Sequence, residues 1–344
     1  MPRLVDWALD CSIYLYPNED DADRGEQVGG SGFLFRIPTD DTYASFVYAV
    51  SNWHVVKDAP VVRFNTSDGK CDVLPLTLNN WHRHQDGETD LAVAPVKLPP
   101  TNTTLIVGPE HLLTRDGIAQ FNVGLGEDLF VVGRFVDHDG KERNQPTARF
   151  GAIAQMPGDL IRTEVGLQDA FLADIRSVSG YSGSPVFALL PRHRDTTLSM
   201  KERLGRPIGG IGGKERILLI GVDCGHMLFP DPGGVFAEVR DKQGNKKLRS
   251  TQFRVNVNSG MAIVVGAWKL DELLNRPELK AMRDQENQQR KNAAFHTKLD
   301  SATRPRLQKT LAPEEQDRID IRIPTKGEVM DVFKKATRKR QKKQ

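Results

Sequence analysis

The chain has 344 residues, 38% of them apolar, with 48 Lys or Arg against 45 Asp or Glu and a net charge of +3. That apolar share supplies a folded core and excludes a wholly disordered chain. No run approaches the roughly 18–20 apolar residues that a membrane-spanning helix needs.

Seven of the basic residues fall in the last eleven positions, KKATRKRQKKQ (334–344), so the body of the chain is mildly acidic and its tail strongly basic. The opening MPRLVDWALDC carries Asp6 and Asp10 inside the stretch that a secretion signal would need apolar, which argues against export by that route. Cys11, Cys71 and Cys224 are odd in number and lack CxxC spacing. They read as reduced thiols, not as a disulfide framework or a zinc site. Both features point to the cytoplasm.

In chain order, apolar and β-branched bursts predict strands over 12–16, 32–37, 43–50, 61–64 and 91–96. A second set follows over 129–132, 149–153, 171–174, 186–190, 217–222, 253–257 and 261–265. Gly and Pro punctuate them, helical windows are few, and no fixed repeat is visible, so antiparallel sandwich or barrel architecture is favoured over βαβ units. Two polar insertions, 191–216 and 226–252, are predicted surface loops. After Trp268 a terminal helix is expected over 269–282, then a charged, aromatic-poor extension, helical or disordered.

Three short segments carry chemistry. VSNWHVV places His54 just after an apolar strand, TDLAV places Asp90 at the entrance to another, and SGYSGSPVF sets Ser182 between glycines before a third. A serine hydroxyl is a weak nucleophile that needs a base within hydrogen-bond reach. Histidine accepts and returns a proton near pH 7, and a buried carboxylate fixes its tautomer and stabilises its protonated form. Glycines beside the serine let successive N–H groups point at one spot, where each donor to a developing oxyanion is worth roughly 3–4 kcal/mol. Singly, each segment reads as structural: a satisfied histidine, a turn aspartate, a hairpin loop. Their joint occurrence at strand boundaries, in the order His, Asp, Ser, favours the chemical reading.

With these blocks the sequence resembles the trypsin-like (chymotrypsin-fold) serine peptidases, particularly the bacterial HtrA/Deg branch, from about residue 12 to 268. GGSGFLF resembles the family's opening strand, TDLAVAPV its aspartate block, GEDLFVVG the strand opening the second barrel, and GYSGSPVF the nucleophile block. IGVDCG resembles the strand that pairs with substrate backbone, and SGMAI the last strand before the terminal helix. The resemblance implies two six-stranded antiparallel β-barrels, 1–118 carrying His54 and Asp90 and 119–282 carrying Ser182 and the terminal helix, followed by the extension 283–344. It implies that the N–H groups of Gly180 and Ser182 form the oxyanion hole and that Asp223, Cys224 and Gly225 line the cleft. Arg176, with Ser177, Ser179 and Gly260, is placed near the primary pocket, where a buried Arg would favour an acidic side chain before the scissile bond.

The chain departs from the family in three places. Tyr181 stands where zymogen-activated relatives carry an aspartate, which excludes activation by a freshly cut N-terminus; the loop is ordered from the outset or by a partner or substrate. Ser184 replaces a more common glycine, and no PDZ domain follows, so an HtrA-like chaperone role is unsupported.

Other signals carry less. His82-Arg83-His84 could offer two metal ligands, but the intervening Arg and the lack of a third ligand favour a solvated loop. Cys224 reads as a buried thiol, and GGIGGK (209–214) lacks phosphate-loop spacing. The resulting expectation is a cytoplasmic bacterial serine endopeptidase acting on a protein or peptide through an acyl-enzyme, with no metal or organic cofactor. The alternative is a catalytically silent scaffold working through its long loops and through a tail suited to electrostatic contact with nucleic acid or an acidic protein.

Overall fold

The computed structural model describes the backbone of residues 6–27, 29–39, 45–135, 140–163, 166–175, 180–190, 216–240 and 246–307, and side chains within those ranges for 8–228 and 258–292. Contacts divide the chain into two units, 1–285 and 286–344.

The N-terminal half forms one eight-stranded sheet: β1 (Ser12–Tyr16), β2 (Gly30–Pro38), β3 (Ser45–Ser51), β4 (Val61–Asn65), β5 (Cys71–Leu74), β6 (His82–Arg83), β7 (Ala92–Val96) and β8 (Ile106–Val107). Its order is β5-β4-β1-β2-β3-β7-β6, and β8 runs parallel to β2 at Leu34 and Phe35, beyond the end of β1. Short helices α1 (Glu19–Arg24) and α2 (Trp53–Asp58) follow β1 and β3, and α3 (Arg115–Gln120) leads towards the second half. There β9 (Asp128–Gly133), β10 (Thr147–Gln155), β13 (Ala170–Asp174), β14 (Pro185–Leu190), β15 (Arg216–Arg240) and β16 (Lys246–Gly266) close a barrel in the order β10-β13-β16-β15-β14-β9. A separate hairpin, β11 (Ile161–Thr163) with β12 (Gly166–Gln168), lies outside the barrel wall. The expected all-β, two-barrel fold is therefore present, its second barrel closed with six strands and its first a half-barrel of eight strands instead of six, one pair of them parallel.

Period-two alternation explains how the halves meet. On β2, Phe33 and Phe35 join one apolar cluster while Leu34 joins another. On β9, Phe130 and Val132 belong to the first cluster and Leu129 and Val131 to the interior of the second barrel. The shared cluster thus contains Tyr48, Val50, Leu91 and Val93 from the sheet together with Phe187, Leu219 and Val222 from the barrel. Phe130 and Phe187 stack there at 5.1 Å. Each such side chain contributes about 1.5–3 kcal/mol when fully buried, so the seam between the halves is itself core.

The predicted terminal helix is two helices, α4 (Ala267–Leu274) and α5 (Pro277–Leu307). Pro277 opens the second, where its missing N–H costs no helical bond. Ala267, Leu270, Leu273 and Leu274 give α4 an apolar face on the shared cluster, and Arg283 of α5 donates to the Tyr48 hydroxyl at 3.0 Å. In the second unit, Arg290 pairs with Glu286 along the same helix.

Residues 226–240 and 246–252 correct an expectation. Predicted as a loop, they continue β15 and β16 as a ribbon paired from Leu228 opposite Asn258 to Arg240 opposite Lys246. Pro230 and Pro232 share one parity, which lets both turn their missing N–H to the ribbon's outer edge, where no ladder bond is lost. The other predicted loop lies outside the described residues over 191–215, as do GGIGGK and the basic tail. Among the described residues no helix is long and apolar enough to cross a membrane.

Candidate active site

β3 ends at Ser51, and the chain turns through Asn52 into α2, placing His54 in its first turn. The N–H groups of a first turn have no helical acceptor. Here the carboxylate of Asp90, 2% exposed, supplies one: its Oδ1 accepts the His54 N–H at 2.9 Å. Its Oδ2 lies 2.5 Å from His54 Nδ1. That contact calls for the proton on Nδ1 and leaves Nε2 as the free acceptor of an imidazole about one-third exposed. Asn52 adds a third link, donating from Nδ2 to the Asp90 carbonyl at 2.8 Å.

The same Oδ2 takes a further donor from the second barrel, the Cys224 thiol at 3.3 Å. Burial, then the neighbouring Asp90 charge and hydrogen bond, push this thiol well above its ordinary range, so it remains protonated and donates. Asp223 beside it is buried, and its carboxylate accepts the Gly225 N–H at 3.0 Å. Gly225 and Gly260 adopt positive φ, 128° and 83°.

Ser182 sits in the turn before β14, between Gly180 (φ 98°) and Gly183 (φ 88°). Ser31 on β2 holds this turn. Its N–H donates to the Ser182 carbonyl at 2.9 Å and its hydroxyl to the Gly180 carbonyl at 2.7 Å. Ser31 is itself fixed: Ser51 donates to its carbonyl at 2.7 Å, and the Arg134 N–H to its hydroxyl at 2.9 Å. The Gly183 N–H bonds the Asp223 carbonyl at 2.8 Å. A side chain at Gly183 would run into the Ser31 carbonyl and the Ser51 hydroxyl, so glycine is needed for both space and backbone. Tyr181 turns into the second barrel's core, fully buried, where its hydroxyl meets the Thr147 hydroxyl.

The structure therefore joins His54 to Asp90 directly, brings Cys224 onto the same carboxylate, and links the Ser182 turn to the strand preceding His54 through Ser31 and Ser51. Arg176, Ser177 and Ser179 lie outside the described residues. Sequence reasoning missed Ser31, Asn52 and Gln168, the last of which contacts the Asp90 backbone. Only Ser31 had a signal, its place among glycines in GGSG. The solvated-loop expectation for His84 is overturned: the residue is 3% exposed, with Nδ1 3.0 Å from Asp86 and Nε2 3.4 Å from Glu272 of α4. Asp86, two residues on, and Glu272, far away in sequence, each lie beside one ring nitrogen, and the second could not be foreseen from the residues around His84. Among the described residues no cluster of three or more His, Cys, Asp or Glu side chains could hold a metal.

No protein-family model matches the chain, and no curated protein does. Among solved structures it is similar to the MamO protease domain from Magnetospirillum magneticum, at 14% identity over 79% of this chain and 100% of that one, with a TM-score of 0.44. It is also similar to the active form of the Rv3671c protease from M. tuberculosis, at 15% identity over 77% and 80%, TM-score 0.35. A third likeness is to the HtrA-type protease AlgW with a tripeptide, at 16% identity over 78% of this chain and 62% of that one, TM-score 0.35.

Proposed function

We propose that the chain is a serine endopeptidase. The observation that carries the reading is the Asp90 carboxylate, buried and bonded to both the N–H and Nδ1 of His54, with Ser182 in a glycine-flanked turn tied to the neighbouring strand.

In the proposed cycle Ser182 Oγ attacks the peptide carbonyl as its proton passes to His54 Nε2. Asp90 stabilises the imidazolium, and the N–H groups of Gly180 and Ser182 hold the oxyanion. The imidazolium then protonates the leaving amine. Water, deprotonated by His54, releases the acyl group from Ser182. The base, the nucleophile and the oxyanion donors all come from the chain, so the cycle is complete without a cofactor. A protein or peptide substrate would lie along Asp223–Gly225 and Gly260, with Arg176, Ser177 and Ser179 at the primary pocket. The burial of Tyr181 in the barrel core supports a turn held by contacts within the fold. Three free cysteines support a reducing compartment, the cytoplasm.

Incubating denatured casein with the native chain and with Ser182→Ala, then mapping new N-termini by mass spectrometry, tests this. Cleavage by the native chain alone, enriched after acidic residues, is expected. Identical, uncleaved profiles from both proteins would overturn the reading, and cleavage after Lys or Arg would overturn the role given to Arg176.

A further inference from the structure

The two-stranded hairpin β11–β12 ends at Gln168, opposite Ile161. Gln168 is fully buried, and its amide makes two hydrogen bonds to the segment carrying Asp90. Oε1 accepts the Asp90 N–H at 3.1 Å, and Nε2 donates to the Glu88 carbonyl at 2.9 Å. A backbone N–H needs an acceptor and a carbonyl a donor, so only one orientation of the amide satisfies both. A carboxamide presents an acceptor and a donor side by side in this way at any pH.

Both sides of the contact are anchored. Next to Gln168, Asp169 accepts the Trp268 indole N–H at 3.0 Å and pairs with Arg115, whose guanidinium stacks 4.4 Å from the Trp268 ring. On the other side, the Asp86 carboxylate gathers the N–H groups of Glu88 at 3.0 Å and Thr89 at 2.8 Å, and the Thr89 hydroxyl at 2.7 Å. The Asp90 peptide lies between these fixed points, and from there its carboxylate reaches the N–H and Nδ1 of His54.

We infer that Gln168 is a positioning residue for the triad, through which the second barrel's hairpin sets the placement of Asp90 against His54. The inference rests on the reading of Asp90 as the triad carboxylate. Gln168→Leu removes both hydrogen bonds. Gln168→Met also removes both, while keeping the unbranched length of the side chain. Leu167→Ala, on the same hairpin, touches neither.

The experiment measures kcat and KM across pH, together with the His54 imidazole titration by NMR, for the native chain and the three variants. Displacing a catalytic group by about 1 Å costs about a hundredfold in rate, so Gln168→Leu should lower kcat by about ten- to a hundredfold with little change in KM. The acid limb and the NMR titration should both move to lower pH, because a displaced Asp90 stabilises the imidazolium less. Gln168→Met should match Gln168→Leu, and Leu167→Ala should match the native chain. A folded Gln168→Leu with native kcat and an unmoved titration overturns the inference. Should that variant fail to fold, a folded Gln168→Met with native values overturns it equally. A native chain without activity would count against the peptidase reading, while the His54 titration would still decide the role of Gln168.

Discussion

The main-chain N–H of Ser31 donates to the carbonyl of Ser182 at 2.9 Å, tying the Ser182 turn of one half to the second strand of the other. The Ser31 hydroxyl simultaneously donates to the Gly180 carbonyl and accepts from the Arg134 N–H. One small residue thereby orients the Gly180–Tyr181 and Ser182–Gly183 peptides, the first and last of the turn.

Ser31→Ala should keep the main-chain bond and lose both hydroxyl contacts. Leaving the buried Arg134 N–H without this acceptor costs about 1–3 kcal/mol. Denaturant unfolding should report that loss, and serine-probe acylation of the folded variant should slow by about tenfold as the turn loosens.

Gly183→Ala tests space and conformation together. Its φ of 88° disfavours any side chain, and the added methyl would strike the Ser31 carbonyl. Gly69 has a similar φ of 81° with nothing within 4 Å of the place a methyl would occupy, so Gly69→Ala isolates the backbone cost of about 1–2 kcal/mol. Gly183→Ala should lose clearly more stability than Gly69→Ala in paired unfolding curves.

Cys224→Ser and Cys224→Ala separate the donor from the volume. A hydroxyl can replace the thiol as donor to Asp90 Oδ2, and a bond to a charged acceptor is worth about 1.5–3 kcal/mol. Cys224→Ser should hold kcat within a few-fold of native, whereas Cys224→Ala should lower it by about tenfold. Equal kcat for the two variants would remove the thiol from the triad's support.

Alkaline stability follows from Cys11, whose complete burial pushes its thiol up to about 12. Its contribution to stability is present in full below the unfolded thiol's range, near 9, and is lost as pH rises from there towards 12. By pH 10 the loss should reach about 1 kcal/mol. Cys11→Ala should therefore show a shallower fall in unfolding free energy between pH 8 and 10 than the native chain.

Much of this was legible in the sequence because the signals are local. Alternation on β2, β3 and β9 follows from apolar residues two apart, and the His54, Asp90 and Ser182 blocks each announce a strand boundary. What escaped was long-range or ambiguous. Gln168 bonds a backbone 78 residues away, and nothing near it in sequence distinguishes it from a surface glutamine. His84 is buried by Glu272, contributed by a helix close to the end of the first unit. The ribbon that extends β15 and β16 escaped because Pro and Gly mark loops and ribbon edges alike.

The central claim is that His54, Asp90 and Ser182 act as one nucleophilic unit. Labelling with a fluorophosphonate probe, with the modified residue mapped by mass spectrometry, tests it most directly. Labelling is expected at Ser182, lost in Ser182→Ala and His54→Ala and slowed by about 10⁴-fold in Asp90→Asn. A folded, monodisperse native chain that takes no label at Ser182, or one labelled equally without His54, would contradict it.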